Sequence, residues 1–176
     1  MTIFDDLTYL RTGTEKQQEA HRVLTESGLF EKLHDYTPIL AGTIPLAIDI
    51  DTSDLDILCC WTNKHRFVDS VIHHFSDEHQ FTLQEKIIGG QETVLAGFTL
   101  NGFQIEIFGQ NRPVKAQEAY RHMVIEHELL NSHGKDFREA VIALKKAGIK
   151  TEPAFAQVLG LQGDPYLQLL HYKANP

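Results

Sequence analysis

Two aspartates stand two residues apart at the start of an apolar stretch, in the order Ser53-Asp54-Leu55-Asp56-Ile57. If this stretch is a β-strand, side chains two residues apart point to the same face, so Asp54 and Asp56 project side by side. Two neighbouring carboxylates repel each other unless a cation is bound. Hard divalent cations such as Mg²⁺ prefer oxygen ligands and commonly use one or two carboxylates together with substrate phosphates. The pair therefore predicts a divalent-metal site.

An isolated glutamate in a later apolar segment supplies a possible third ligand. Glu106 lies between Ile105 and Ile107, so in a strand its side chain points to the face opposite the isoleucines. A charged residue flanked in this way is often only the solvent-facing side of a half-exposed strand. If this strand pairs beside the strand of Asp54 and Asp56, the three carboxylates converge.

A Gly-Thr pair, Gly42-Thr43, directly follows the short apolar segment 39–41. A glycine between a strand and a helix leaves backbone N–H groups free to bind an anion, assisted by the dipole of the helix. Residues 44–51 predict either a brief helix or an irregular crossover. Many turns contain a Gly-Thr pair, so this pair indicates a phosphate site only in combination with the carboxylates.

The chemistry-bearing residues lie on segments that predict a mixed sheet. The apolar stretches 39–41 and 55–61 each predict a strand. The dipeptide Asn101-Gly102 between two alternating segments is a strong hairpin signal. The later part of the sheet should therefore be an antiparallel meander, with strands over residues 81–88, 93–100 and 103–108.

Helical patterns flank and follow these strands. Thr14 and Gln17 have the spacing of a capping box, which predicts a helix start, and apolar residues recur at helical spacing over 63–75. From Pro113 onward the pattern is helical, with an interruption at Gly134. Further helices are predicted over residues 136–147, 152–159 and 165–173, and the polar residues of the first of these, Asp136, Arg138 and Glu139, indicate a solvated face.

The predicted fold class is α+β: a mixed sheet with helices, followed by a C-terminal helical subdomain. We expect residues 1–112 to form the α/β core and residues 113–176 to form the helical subdomain packed on it. The length of 176 residues and the hydrophobic fraction of 42% suit a globular core that needs neither disulfides nor a structural metal.

The formal net charge of −8 disfavours extended nucleic acid as a partner. Non-specific DNA or RNA binding is driven by basic surfaces that release counterions, and the chain has no basic run of five or more residues. Its apolar runs are too short to span a bilayer, which predicts no membrane partner. The first residues lack the pattern of a signal peptide, so we expect a cytoplasmic protein.

The histidines raise zinc hydrolysis as an alternative. His122, Glu126 and His127 occur in the order His-x-x-x-Glu-His, which matches neither of the two zincin signatures. Histidines five residues apart also share a helix face poorly. A zinc hydrolase is therefore disfavoured.

The order of these features resembles the DNA polymerase beta-type nucleotidyltransferase superfamily. Its pattern is a hydrophobic strand ending in Gly-Ser or Gly-Gly, an Asp-hydrophobic-Asp or Asp-hydrophobic-Glu motif, and a third carboxylate in a later strand. The corresponding residues here are Gly42-Thr43, Asp54 and Asp56, and Glu106. The flanking residues are similar to a bacterial branch of minimal nucleotidyltransferase-like proteins.

This resemblance covers residues 14–109 and implies a nucleotidyltransferase-like core with a defined activity. That activity is transfer of a nucleoside monophosphate from a nucleoside triphosphate to an acceptor hydroxyl. Asp54 and Asp56 would hold two Mg²⁺ or Mn²⁺ ions, and Glu106 would bind one of them and accept the proton of the hydroxyl. The acceptor would be a small molecule or a protein side chain.

The resemblance also implies that Gly42, Thr43 and Ser53 contact the phosphates of the nucleotide. Pro45 and Ala47 lie where many minimal members carry an Arg-x-x-Gly motif, so a phosphate-contacting arginine is absent. The alternative is therefore a catalytically inactive nucleotide-sensing or protein-interaction module on the same fold. Three basic residues near the start of the helical region are candidates for added positive charge: Arg112, Lys115 and Arg121.

Overall fold

The computed structural model describes residues 2–172. Two short 3₁₀ segments precede the first helix, α1 (Glu15–Glu26), which begins at a capping box. The Gln17 backbone N–H donates to Thr14 Oγ1 at 3.2 Å, and the Thr14 N–H donates to Gln17 Oε1 at 2.9 Å. The helix start predicted at Thr14 is confirmed. A one-turn helix, α2 (Leu29–Lys32), follows and leads into the sheet.

Five strands form one mixed sheet in the spatial order β1-β2-β5-β4-β3. The central pair, β2 and β5, is parallel, and the other three pairs are antiparallel. The antiparallel meander predicted from Asn101-Gly102 is confirmed, since β3, β4 and β5 follow one another along the chain. The strands are β1 (Ile39–Ala41), β2 (Leu55–Cys60), β3 (His79–Ile88), β4 (Gln91–Leu100) and β5 (Phe103–Gln110).

The two faces of the sheet pack against different helices. Helix α3 (Lys64–Phe75) begins at Asn63, whose side chain accepts from the Arg66 N–H, and it covers the first face. The apolar cluster on that face includes Ile57, Ile105, Ile107, Phe67 and Val71. The second face carries Leu58 and packs against the C-terminal helices through residues such as Met123, Leu130 and Phe155.

The C-terminal helices are α4 (Glu118–Lys146), α5 (Thr151–Leu159) and α6 (Pro165–His171). The sequence predicts two helices separated at Gly134, and the interruption is confirmed, because Gly134 is non-helical (φ 77° and ψ −159°) and divides α4 into two helical stretches. Pro113 precedes a 3₁₀ turn, Val114–Ala116, rather than α4 itself. The end of the last predicted helix and of the predicted subdomain, residues 173–176, lies outside the described residues.

The predicted α+β class with a mixed sheet is confirmed. The division of the chain into residues 1–112 and 113–176 stays a prediction. Across residues 2–172, no helix combines the length and the apolar character needed to cross a membrane.

Candidate functional site

The three predicted carboxylates lie on or beside the central pair of strands. Asp56 on β2 is paired directly with Glu106 on β5, and because the strands are parallel and in register both side chains project from the same face. Asp54 lies one residue before β2. All three line one cleft between the sheet and the C-terminal helices. We call Asp54, Asp56 and Glu106 the sheet wall of this cleft.

The carboxylates of the sheet wall repel one another. The pKa of Asp56 is raised to about 8. Burial is the largest cause, and the negative charges of Asp54, Glu106 and Glu152 act in the same direction. The pKa of Glu106 is also raised, first by partial burial and then by Asp54. Such shifts mean that the charged forms are poorly compensated by the protein alone.

A hard divalent cation fits this donor set by its chemistry, because it would neutralise adjacent carboxylates whose charges the protein leaves uncompensated. Within residues 2–172, however, no three His, Cys, Asp or Glu side chains converge closely enough to form a ready-made metal cage. The sheet wall is therefore an open set of oxygen ligands, to be completed by water or substrate oxygens. The metal-binding roles of Asp54, Asp56 and Glu106 stay a prediction.

The segment that follows β1, residues 42–53, forms turns and contains no helix. We call it the Gly42 loop. The expectation that a helix dipole assists anion binding at Gly42 is therefore wrong, and only backbone N–H and hydroxyl groups are available there. Gly42 has a φ of 84°, and a Cβ atom at this position would overlap Asp56 Oδ2. The loop thus passes directly against the sheet wall.

Within the loop, the two predicted hydroxyl ligands contact each other. Thr43 Oγ1 and Ser53 Oγ are 3.0 Å apart, and the Ile50 backbone N–H donates to Ser53 Oγ at 3.0 Å. Ser53 therefore closes the Gly42 loop on itself. Thr43 also lines the cleft, together with Gly42.

Helix α1 holds the loop from one side. The buried Gln17 side chain donates from Nε2 to the carbonyl of Ile44 at 2.8 Å and to that of Pro45 at 3.2 Å. The same residue accepts in the capping box, so the start of α1 and the position of the loop depend on one side chain.

Helix α4 holds the loop from the other side through two cations. Arg138 Nη1 donates to the carbonyls of Leu46 and Ala47, and Lys145 Nζ donates to the carbonyl of Ile48 at 2.8 Å. The prediction that Arg138 belongs to a solvated face is wrong, because its guanidinium is turned toward the loop. Ala47 has a positive φ of 53°, an uncommon conformation that these contacts help to hold.

The side of the cleft opposite the sheet carries three titratable residues, two of which, Glu126 and Glu152, no sequence pattern assigned to the site. His122 and Glu126 from α4 and Glu152 from α5 line it, and we call them the helical wall. His122 Nε2 lies 3.0 Å from the carbonyl of Tyr166, and His122 Nδ1 lies 3.8 Å from Glu152 Oε1. The sequence signal for this wall was the position of Glu126, which follows the buried Met123 by three residues and therefore lies on the buried face of the helix.

Glu126 is only 4% exposed, and its Oε1 atom has no hydrogen-bond partner among the described residues. Burial, followed by the charge of Glu152, raises the pKa of Glu126 to about 8. Lys145 is 6% exposed, and burial lowers its pKa to about 8 although Glu126 and three further carboxylates act in the opposite direction. With Glu126 and Glu152, the helical wall adds two carboxyl groups to the three of the sheet wall.

The cleft has a volume of about 310 Å³ and adjoins a second cavity of about 200 Å³. The two cavities share four lining residues: Phe108, Ala119, His122 and Glu152. Arg112 and Tyr166 line the second cavity.

The three weaker candidates lie in different places. Arg112 is half-buried and lines the second cavity. Lys115 forms an ion pair with Asp5, which engages its charge outside the cleft. Arg121 is exposed and lines neither cavity. Only Arg112 is therefore brought near the predicted site.

Solved structures similar to this chain include nucleotidyltransferase-fold enzymes. The Cid1 poly(U) polymerase with MgGTP bound is 14% identical, with a TM-score of 0.58 over 84% of this chain and 49% of that chain. Cid1 in complex with the UTP analog UMPNPP is 16% identical, with a TM-score of 0.55 over 84% and 48%. The GLD-2/RNP-8 complex is 14% identical, with a TM-score of 0.54 over 83% and 57%.

These likenesses show the nucleotidyltransferase fold. The chain spans only about half the length of the solved structures it matches, so their activities are not transferred by the likeness alone. Assignment to the polymerase beta-type superfamily and to its bacterial branch stays a prediction.

At the level of sequence, no curated protein matches the chain. A family model described as a domain of unknown function, DUF4269, matches residues 22–172. The match includes the Gly42 loop, the sheet wall and the helical wall, so the whole cleft lies inside the family domain. The chain belongs to the DUF4269 family.

Proposed function

We propose that the chain is a divalent-metal-dependent nucleotidyltransferase. It would transfer a nucleoside monophosphate from a nucleoside triphosphate to the hydroxyl group of an acceptor. One observation supports this above all: the Gly42 loop passes directly against Asp56, which is itself paired with Glu106. A phosphate group bound by the loop would therefore lie beside the carboxylates that bind the metal.

In this proposal Asp54, Asp56 and Glu106 hold Mg²⁺ or Mn²⁺, which when bound neutralises phosphate charge and makes the acceptor hydroxyl more acidic. Glu106 would accept the proton of the hydroxyl. The acceptor oxygen then forms a bond to the α-phosphorus, and the bond between that phosphorus and the bridging oxygen breaks. Pyrophosphate leaves, and Glu106 returns its proton to water.

The Gly42 loop would bind the phosphates mainly through backbone N–H groups and the Thr43 hydroxyl. The carbonyls of Pro45 and Ala47 accept hydrogen bonds from Gln17 and Arg138, which fixes the loop from behind. These two positions thus serve the shape of the loop and supply no cation to the phosphates. Most of the phosphate charge would be neutralised by the bound metal.

The acceptor is expected to be a small molecule or a protein side chain rather than an extended nucleic acid. Five carboxylates line the cleft, and the chain has a formal net charge of −8, so a polyanion would be repelled. The likeness to the Cid1 poly(U) polymerase covers only 49% of that chain, so its acceptor is not carried over to this protein.

The test is nucleotide binding in the presence of metal. We expect wild-type protein with MgCl₂ to rise in melting temperature when ATP, GTP, CTP or UTP is added, and Asp54→Asn combined with Asp56→Asn to abolish that rise without unfolding the protein. A control with the same charge change is Asp69→Asn with Asp77→Asn, two exposed positions remote from the cleft. If no triphosphate with Mg²⁺ or Mn²⁺ alters the melting of wild-type protein, the proposal is wrong.

A second candidate is a module that binds nucleotide without turnover. The absence of an arginine at Pro45 and Ala47 favours it, because the phosphates then lack one source of transition-state stabilisation. Pyrophosphate release separates the two candidates. An enzyme releases pyrophosphate when metal, triphosphate and acceptor are all present, whereas a sensing module binds the nucleotide and releases none.

A further inference from the structure

The helical wall holds two carboxylates that the proposed metal chemistry does not use, Glu126 and Glu152. We infer that this wall binds a positively charged amino group of the acceptor, so that the acceptor class is a small amine-bearing alcohol. That the bound amine is the acceptor rests on the proposed function, whereas the cation site itself is a property of the cleft. Three features of the helical wall support it.

First, Glu126 is a buried acid without a hydrogen-bond partner at Oε1 among the described residues. A buried polar atom without a partner costs free energy, so native proteins keep such atoms where a ligand, water or ion completes them. Glu126 lines the cleft, and a group bound there can approach it. An ammonium group offers three N–H donors and a compensating charge.

Second, the nearby protein cation compensates the helical wall only in part. Lys145 donates a hydrogen bond to the carbonyl of Ile48 in the Gly42 loop. Its charge lowers the pKa of Glu126 less than burial and Glu152 raise that pKa. A bound cation would therefore add compensation that the protein itself does not supply.

Third, the two carboxylates of the helical wall come from separate helices. Glu126 lies on α4 and Glu152 lies on α5. His122 is held by the carbonyl of Tyr166, and its Nδ1 is 3.8 Å from Glu152. Spaced carboxylates on one wall fit an amine whose donors point in several directions, and the cleft volume of about 310 Å³ limits the ligand to a small molecule.

The test compares two probes that differ in one group, 4-amino-1-butanol and 1,4-butanediol. Each is titrated by NMR into protein saturated with MgCl₂ and a non-hydrolysable triphosphate at pH 8.5, where the amine is charged and the metal-binding carboxylates are occupied. We expect the amino alcohol to bind at least about tenfold more tightly than the diol, because a charge-assisted hydrogen bond is made only by the amine.

Two substitutions locate the site. Glu126→Gln and Glu152→Gln should each reduce the preference for the amine to near unity, whereas Glu128→Gln, an exposed position on the same helix, should keep it. Melting temperatures of all variants separate lost binding from lost folding. Because Gln keeps the shape of Glu, a purely structural role would change melting without changing the preference for the amine.

The outcomes separate this inference from the proposed function. Equal binding of the two probes to wild-type protein, or an amine preference that survives both substitutions, overturns the cation site even when Mg²⁺ and triphosphate bind. A preference for the amine that depends on Glu126, in protein that binds no triphosphate, supports the cation site and overturns the nucleotidyltransferase. Transfer of nucleotide to the hydroxyl of 4-amino-1-butanol but not of 1,4-butanediol supports both.

Discussion

Replacement of Glu126 by glutamine should make the protein more stable at alkaline pH. Burial raises the pKa of this carboxyl from an ordinary 4.5 to about 8 in the folded chain. Between these two values the folded state holds a proton that the unfolded state releases, so the free energy of unfolding falls as the pH rises. Since one pKa unit corresponds to about 1.4 kcal/mol, the loss above pH 8 has an upper limit of about 5 kcal/mol.

Glutamine at position 126 carries no charge and does not incur this loss. The difference in free energy of unfolding, variant minus wild type, should therefore grow in favour of the variant from pH 4.5 to pH 8 and then level off. The gain will fall below 5 kcal/mol because the amide NH₂ group of glutamine also needs a hydrogen-bond partner in this buried position.

Urea unfolding at pH 5, 6.5, 8 and 8.5, without metal or nucleotide, measures this difference. Glu128→Gln serves as the control, because it removes the same carboxyl group from an exposed position on the same helix. A difference for Glu126→Gln that is constant across the series would refute the reasoning. A difference that instead moves against the variant as the pH rises would show that the folded state stabilises the ionised Glu126, for example through Lys145.

Two further predictions concern the Gly42 loop. Gly42→Ala should abolish binding of triphosphate with Mg²⁺, because its Cβ atom would displace Asp56. Gly102→Ala is the control, since Gly102 has a similar φ of 87° and open space around it. It should lower the free energy of unfolding by only about 1 kcal/mol and leave nucleotide binding intact. Arg138→Ala should lower the free energy of unfolding by about 1–3 kcal/mol, because two hydrogen bonds to loop carbonyls are lost, and it should weaken nucleotide binding. Lys135→Ala, on the exposed face of the same helix, should change neither quantity. Urea unfolding and nucleotide titration of the two variants measure these effects.

Local chemistry made a large part of the fold predictable. The period of two along a strand placed Asp54 and Asp56 on one face, and the Asn101-Gly102 turn predicted the hairpin that brings β5 back into the sheet. The predicted convergence of the three carboxylates assumed that β5 pairs with β2, and the sequence pattern did not itself predict this pairing. That pairing is parallel and joins residues 50 apart in the chain, Asp56 and Glu106, so no local signal could specify it.

The helical wall and the loop anchors could not be predicted in the same way. Arg138 and Lys145 contact carbonyls more than 90 residues earlier in the chain, and their side chains look like ordinary surface cations in a helical pattern. Glu126 occupies a buried position where an apolar residue would be expected from the helical period. A charged residue at such a position is a signal in the sequence, but its meaning depends on which cleft the helix borders.

The placement of the cations bears on how a nucleotide could be bound at all. Gln17, Arg138 and Lys145 all donate to carbonyls of the Gly42 loop, so the two charged side chains nearest the loop stabilise its backbone instead of facing the cleft. The described lining of the cleft contains five carboxyl groups and no Lys or Arg, so a triphosphate entering it without metal would meet no permanently charged cation there. Nucleotide binding to this chain should therefore depend on Mg²⁺ or Mn²⁺ more strictly than in a site with a phosphate-binding arginine. Titration of ATP in EDTA and in MgCl₂ measures that dependence, and appreciable binding in EDTA would mean that a protein cation such as Arg112 turns into the cleft.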